Sequence, residues 1–168
     1  MDNPHVLLET SEGDILIELF PEKAPKTVAN FLHYVDQEHY DNTVFHRVVR
    51  KFVIQGGGYT PDLAKKDTAP PIPNEAHQTP ANTKGTIAMA RAPEKDSASD
   101  EFYINAEDNP SLDHEDGSDE GYGYAVFGQV IEGMDVVKKI NWKVTKPHPD
   151  FPDLPQDRIT IHTARRFE

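Results

Sequence analysis

The sequence predicts a mostly-β protein, a closed antiparallel barrel of about eight strands capped by two α-helices. Three observations carry that expectation. Short apolar-rich segments with strand alternation recur along the chain, only two segments have helical spacing, and long Pro- and Gly-rich connections lie between them. His5–Thr10 and residues 14–20 read as two strands joined by a turn at Ser11-Glu12-Gly13, with Ile15, Ile17 and Leu19 alternating against Leu16, Glu18 and Phe20. Pro21 and Pro25 end the second strand and introduce a helix, in which Val28, Phe31, Leu32 and Val35 form one apolar stripe at i, i+3, i+4 and i+7. His33, Asp36 and Gln37 fall on its wet side. A second short helix starts near Gly133 and carries Met134, Val137 and Ile140. Further strands are expected over 86–90, 102–106, 125–131 and 158–165, separated by long connections over 59–83, 92–100, 110–123 and 146–156. Loops of that length in a compact domain are usually functional or packed on the body. No repeat or linker interrupts the chain, so residues 1–168 are expected to form a single domain.

Charge and composition narrow the function classes. The 29 acidic residues exceed the 17 Lys and Arg, for a net charge of −12, which disfavours nucleic acid and acidic membranes as partners. Residues 94–120 hold eleven of the acids and a single cation, Lys95, whereas Arg47, Arg50 and Lys51 form a basic island. The chain has no cysteine, so disulfides, thiolate nucleophiles and Cys-based zinc sites are excluded. The first residues, Met1-Asp2-Asn3-Pro4-His5, lack a basic leader followed by a long apolar run, and a cytoplasmic location is the expectation.

The most informative stretch runs from Val44 through Phe45-His46-Arg47-Val48-Val49 and a turn at Arg50-Lys51 to Phe52-Val53-Ile54-Gln55 and three glycines. Strand alternation puts Phe45, Arg47 and Val49 on one face and His46 and Val48 on the other; beyond the turn, Phe52 and Ile54 share a face opposite Val53 and Gln55. A guanidinium beside aromatic and amide side chains suits a neutral polar ligand. The glycines lack both G-x-G-x-x-G spacing and a Gly-Lys-Ser/Thr ending, which argues against a phosphate cradle. The acidic run Asp113-His114-Glu115-Asp116-Gly117-Ser118-Asp119-Glu120 fails the calcium-loop template, because a glycine at loop position six puts Leu112 where an aspartate is needed. It reads as a solvated rim, one that favours substrates with basic residues near the bound segment.

The 44–58 string resembles the core motif of the cyclophilins, the prolyl cis/trans isomerases, and the resemblance extends over nearly the whole chain. Pro25-Lys26-Thr27-Val28-Ala29-Asn30-Phe31 is similar to the family's first helix and Gly133-Met134-Asp135-Val136-Val137 to its second. Between them Asn74-Glu75, the segment from Lys84 to Arg91, Phe102-Tyr103-Ile104-Asn105 and Val126-Phe127-Gly128-Gln129-Val130 follow in the family's order. The compact, single-domain bacterial members are the nearest in kind. The resemblance implies that Arg47 is the catalytic arginine, Phe52 the aromatic floor of the proline pocket, and Gln55 the amide that bonds the substrate backbone. It further implies that the substrate runs along Ala90, Arg91 and Ala92, and that Leu112 is an apolar pocket residue.

Several positions depart from the family pattern. Val53 stands where many members have methionine, Tyr103 replaces a phenylalanine and adds a hydroxyl at the rim, and Tyr124 occupies the place of a histidine. Ser111 sits where an indole often supports cyclosporin, so weak cyclosporin binding is expected; Trp142 reads as a packing residue after the second helix. Glu101 replaces a glutamine that helps orient the arginine: its carboxylate either holds Arg47 bidentately or turns outward into the acidic loop.

The implied activity is peptidyl-prolyl isomerisation by hydrogen bonding to a twisted amide, without nucleophile, cofactor or metal. The partners are proline-containing peptides and folding clients of a monomer. A non-catalytic proline-peptide module or holdase with the same fold is the alternative.

Overall fold

A computed structural model describes residues 2–167. Strands β1 (His5–Thr10), β2 (Gly13–Leu19), β3 (Thr43–Val44), β4 (Arg47–Val49), β5 (Val53–Gly56), β6 (Thr86–Met89), β7 (Phe102–Asn105), β8 (Val126–Glu132) and β11 (Thr160–Arg166) form one nine-stranded antiparallel sheet. Strands β9 (Thr145–Lys146) and β10 (Leu154–Pro155) pair separately, and helices α1 (Pro25–Asp36) and α2 (Met134–Asn141) pack on the curled sheet. The strand order is β3-β11-β1-β2-β8-β6-β7-β5-β4, so its two outermost strands are separated in sequence only by Phe45 and His46. One short segment thus closes the sheet: its first half pairs with β11 and its second with β5.

That change of partner explains a departure from simple alternation. Phe45 does not share the face of Arg47; Val44, Phe45 and His46 are all buried in succession, and Phe45 meets Phe102 edge-on at 6.3 Å. Gly56 permits the crossing, since a Cβ there would lie 2.6 Å from the Val44 carbonyl oxygen. Alternation resumes in β4, where Val48 is buried between the half-buried Arg47 and Val49. Likewise Phe52 does not share a face with Ile54. It precedes β5 and packs with Val53, while Ile54 enters the main core.

The first helix buries Val28, Phe31 and Val35 as its spacing predicts, and Thr27 and Tyr34 beside them. Phe31 sits at the centre of the core, with the rings of Tyr40, Phe102 and Phe127 at 5.3, 5.6 and 4.9 Å. No neighbouring side chain caps α1. Instead the buried carboxylate of Glu75 accepts hydrogen bonds from the Thr27 N–H (2.8 Å), the Thr27 hydroxyl (2.7 Å) and the Lys26 N–H (3.3 Å). A carboxylate there satisfies orphan donors and complements the helix dipole. A second, smaller apolar cluster of Val53, Ala88, Tyr103 and Val126 forms on the other face of the sheet, with Phe52, Ala90, Leu112 and Tyr124 packed against it.

Candidate active site

Strand register assembles the site. Arg47 lies opposite Gln55, Gln55 opposite Tyr103, Tyr103 opposite Ala88, and Ala88 opposite Val126, in one row across β4, β5, β7, β6 and β8. Side chains in such a row are direct neighbours on one face. Val53, two residues before Gln55, shares that face, and Phe52 closes it from the β4–β5 turn. Leu112, on a single 3₁₀ turn over Pro110–Leu112, and Tyr124 fold over the remaining side, tied by the Tyr124 N–H to the Leu112 carbonyl at 3.0 Å. The result is a cavity of about 370 Å³, whose wall Ala90 and Arg91 complete.

Arg47 is held from two directions while remaining 40% exposed. Its Nη1 donates to Gln55 Oε1 at 3.1 Å, its Nε faces Asp153 Oδ2 at 3.9 Å, and its guanidinium carbon lies 5.9 Å from the Phe52 ring centre. Asp153 reaches the site because its carbonyl accepts the Val48 N–H at 2.9 Å, next to the short β9–β10 pair. Neither Asp153 nor that pair carries a sequence signal, since the proline-rich 147–155 run reads as a plain loop.

Glu101 takes neither of its two expected positions. It makes no ion pair with Arg47 and does not turn outward. Its Oε1 accepts from Gln55 Nε2 and from His46 Nε2, each at 3.1 Å. Burial raises its pKa, but the hydrogen bond and charge of His46, the Gln55 bond and the field of Lys65 outweigh that and hold it below the ordinary 4.5. His46, which strand spacing marked only by its face, is packed between Tyr59 and Phe151 with ring centres at 4.6 and 5.8 Å. Its Nδ1 has no hydrogen-bond partner, and Nε2 is the ring nitrogen that meets Glu101. Gly58 makes room for this arrangement; a Cβ there would be 2.7 Å from Glu101 Cγ.

Two more expectations change. The Tyr103 hydroxyl is not at the rim. It points into the protein and donates to Asn82 Oδ1 at 2.6 Å, and burial pushes its pKa well up, leaving only the ring face to the cavity. Ala92 and Glu101 do not line the main cavity. They border an adjoining depression of about 320 Å³ with Lys65, Ser97 and Ser99, and Gln55, Ala90 and Arg91 are common to both. Arg91 is committed to structure: its guanidinium lies 4.7 Å from the Tyr124 ring centre and donates to the carbonyls of Gly123, Ala92, Pro93 and Asp119. It ties the acidic segment to the cavity wall. Most of the acids of that segment are exposed, but Asp100 is buried against His39 Nε2 at 2.9 Å, so Asp100 and Glu101 together turn inward.

Comparison with known proteins agrees with this architecture. The family profile described as cyclophilin type peptidyl-prolyl cis-trans isomerase/CLD matches residues 5–166. The chain belongs to the cyclophilins. It is 48% identical over 160 residues to the peptidyl-prolyl cis-trans isomerase cyp18 of Streptomyces antibioticus, covering 95% of this chain and 96% of that one. To isomerase B of Escherichia coli K12 it is 45% identical over 159 residues, covering 95% and 97%. A crystal structure of a cyclophilin from Cryptosporidium parvum, obtained in the presence of the dipeptide Ala-Pro, superimposes with a TM-score of 0.80 over 98% of this chain and 99% of that one, at 24% identity. As in that relative, the cyclophilin fold here is a curled antiparallel sheet with two helices.

Proposed function

We propose that this cyclophilin isomerises Xaa-Pro bonds in peptides and folding chains at the Arg47 cavity. The observation that carries the assignment is the row Arg47–Gln55–Tyr103 above an apolar floor of Phe52, Val53 and Leu112, which joins a cationic donor to a pocket with room for a proline ring and the chain on either side of it. Amide resonance sets a barrier of roughly 18–20 kcal/mol, and unaided rotation takes roughly tens to hundreds of seconds. As the bond twists, the proline nitrogen regains its lone pair and becomes a hydrogen-bond acceptor. A guanidinium N–H aimed at it binds the twisted form more strongly than either planar isomer, and that difference lowers the barrier. Arginine stays protonated at working pH, so no proton transfer enters the reaction.

The ring of the substrate proline rests on Phe52, Val53 and Leu112, and the Tyr103 ring closes one side. Gln55 and the backbone beside Ala90, Arg91 and Ala92 grip the chain. Burying one small ring contributes only about 1.5–3 kcal/mol, so binding is weak and side-chain preference broad. Replacement of Arg47 by Ala is expected to lower kcat/KM on an Xaa-Pro tetrapeptide by about two to three orders of magnitude, with an unchanged circular dichroism spectrum. A rate equal to wild type overturns the role of Arg47. Ser111 is exposed on the 3₁₀ turn and supplies no indole beside Leu112, so cyclosporin binding is weak in this reading; a nanomolar complex by calorimetry contradicts it.

A further inference from the structure

A second cavity, of about 350 Å³, lies behind the turn that carries Phe52. Trp142, expected to be a packing residue, is instead 48% exposed on its wall and is the only tryptophan in the chain. The indole is held in place: Arg50 stacks over it at 4.6 Å and donates from Nη2 to the Trp142 carbonyl at 3.0 Å. The floor is equally fixed. Buried Asn141 accepts the Lys51 N–H at 2.8 Å and donates to the carbonyls of Val49 and Val53 at 2.9 and 3.3 Å. Lys51 itself holds a left-handed φ of +61°, a conformation that disfavours a side chain with a Cβ.

Three lysines, Lys51, Lys84 and Lys138, line this groove, and among the described residues none is paired with a carboxylate. With Arg50, which stacks on the indole, they outnumber the lining acids Glu107 and Asp135 and the adjacent Asp108, whose carboxylate accepts the Lys84 backbone N–H at 2.8 Å. On a chain of net charge −12 that excess of cations is local and unusual. Met134 and Ala106 add apolar surface, and the Ala106 N–H bonds the Phe52 carbonyl at 2.8 Å, so the groove and the candidate proline cavity share a wall. A rigid exposed indole ringed by unpaired lysines fits an apolar segment that also bears carboxylates.

We propose that this groove is a second binding site, which takes an acidic, apolar stretch of the client chain and tethers it beside the proline cavity. The proposal rests on the isomerase reading for its client, but the site itself is separate from Arg47. The acidic segment 94–120 reaches the proline cavity through Leu112 and through Arg91, which donates to the Asp119 carbonyl, so the two charged zones set the direction in which a client lies.

Trp142 makes the test direct. A proline-free peptide of alternating Glu and Val is titrated against the full chain while Trp142 emission is followed. Its kcat/KM is measured in parallel on a neutral Xaa-Pro tetrapeptide and on a longer substrate with a Glu-Val tail. A saturable emission change is expected, weakening with added salt. In K84E/K138E, checked for folding by circular dichroism, affinity should fall at least tenfold and kcat/KM on the tailed substrate severalfold, with the neutral tetrapeptide unaffected. The proposal is overturned by no saturable change up to millimolar peptide, by an equal response to a Lys-Val peptide or to inorganic phosphate, or by unaltered affinity in the double variant. An emission change that follows protein concentration, revealing contact between copies, overturns it too. Failure of the wild type on the neutral tetrapeptide would count against the isomerase reading alone, because emission reports the groove independently.

Discussion

Gln55 can be turned either way about its amide, and its neighbours decide which. The Glu101 carboxylate only accepts hydrogen bonds, so Gln55 must direct its NH₂ there, leaving its oxygen to Arg47. Arg47, which only donates, asks for the same orientation, but a glutamine at position 101 would give Gln55 a neutral and weaker acceptor in place of the carboxylate. Glu101→Gln is therefore expected to lower kcat/KM by about two- to tenfold, the size of one net hydrogen bond. In a Gln55→Ala background the same change should add nothing, as the two residues act in series. The pH dependence has a definite sign. The folded-state pKa of Glu101 lies below 4.5, so its contribution to stability is complete above that ordinary value and is lost as pH falls through the depressed one. Wild-type kcat/KM should hold steady down to pH 4.5 and decline below it, and the decline should be smaller in Glu101→Gln.

At the scale of elements, α1 illustrates a helix started from a distance. Its apolar stripe is explicit in the sequence, but the acceptor for its first N–H groups is Glu75, 48 residues beyond Thr27. Glu75→Ala leaves the buried Thr27 donors unpaired. A loss of about 1–3 kcal/mol is expected, read as a lower urea midpoint with the same slope and with KM unaltered, because α1 does not line the cavity. The β3–β4 segment shows the opposite relation. Its residues are legible one by one, but alternation misplaces Phe45 and Phe52, since the chain changes partner strands between Val44 and Arg47.

Over the whole molecule, two apolar clusters lie on either side of one sheet, the larger for stability and the smaller as the floor of the candidate site. Phe31 joins α1 to rings from three other parts of the chain, and Phe31→Ala is expected to cost about 3–5 kcal/mol. Thermal or denaturant unfolding would measure it, and kcat at a temperature well below the transition should change little. Charge is likewise organised globally: Arg91 ties the acidic segment to the wall of the proline cavity, and the lysine-lined groove is a separate cavity behind Phe52.

Local spacing was enough to determine the class of fold, both helices and most strands, and the resemblance to the cyclophilins implied Arg47, Phe52, Val53, Gln55, Leu112, Tyr103 and Tyr124 as site residues, which the structure brings around one cavity. The elements follow from periodicity and the site residues from a family pattern matched segment by segment, both of which a linear chain displays. What only the tertiary structure decided are contacts between residues far apart in sequence. The bonding of Glu101 to Gln55 and His46, the approach of Asp153 to Arg47, the inward hydroxyl of Tyr103 and the exposure of Trp142 all depend on strand register and loop packing. Register is a property of pairs of strands, and a single residue's type does not encode which partner it will meet.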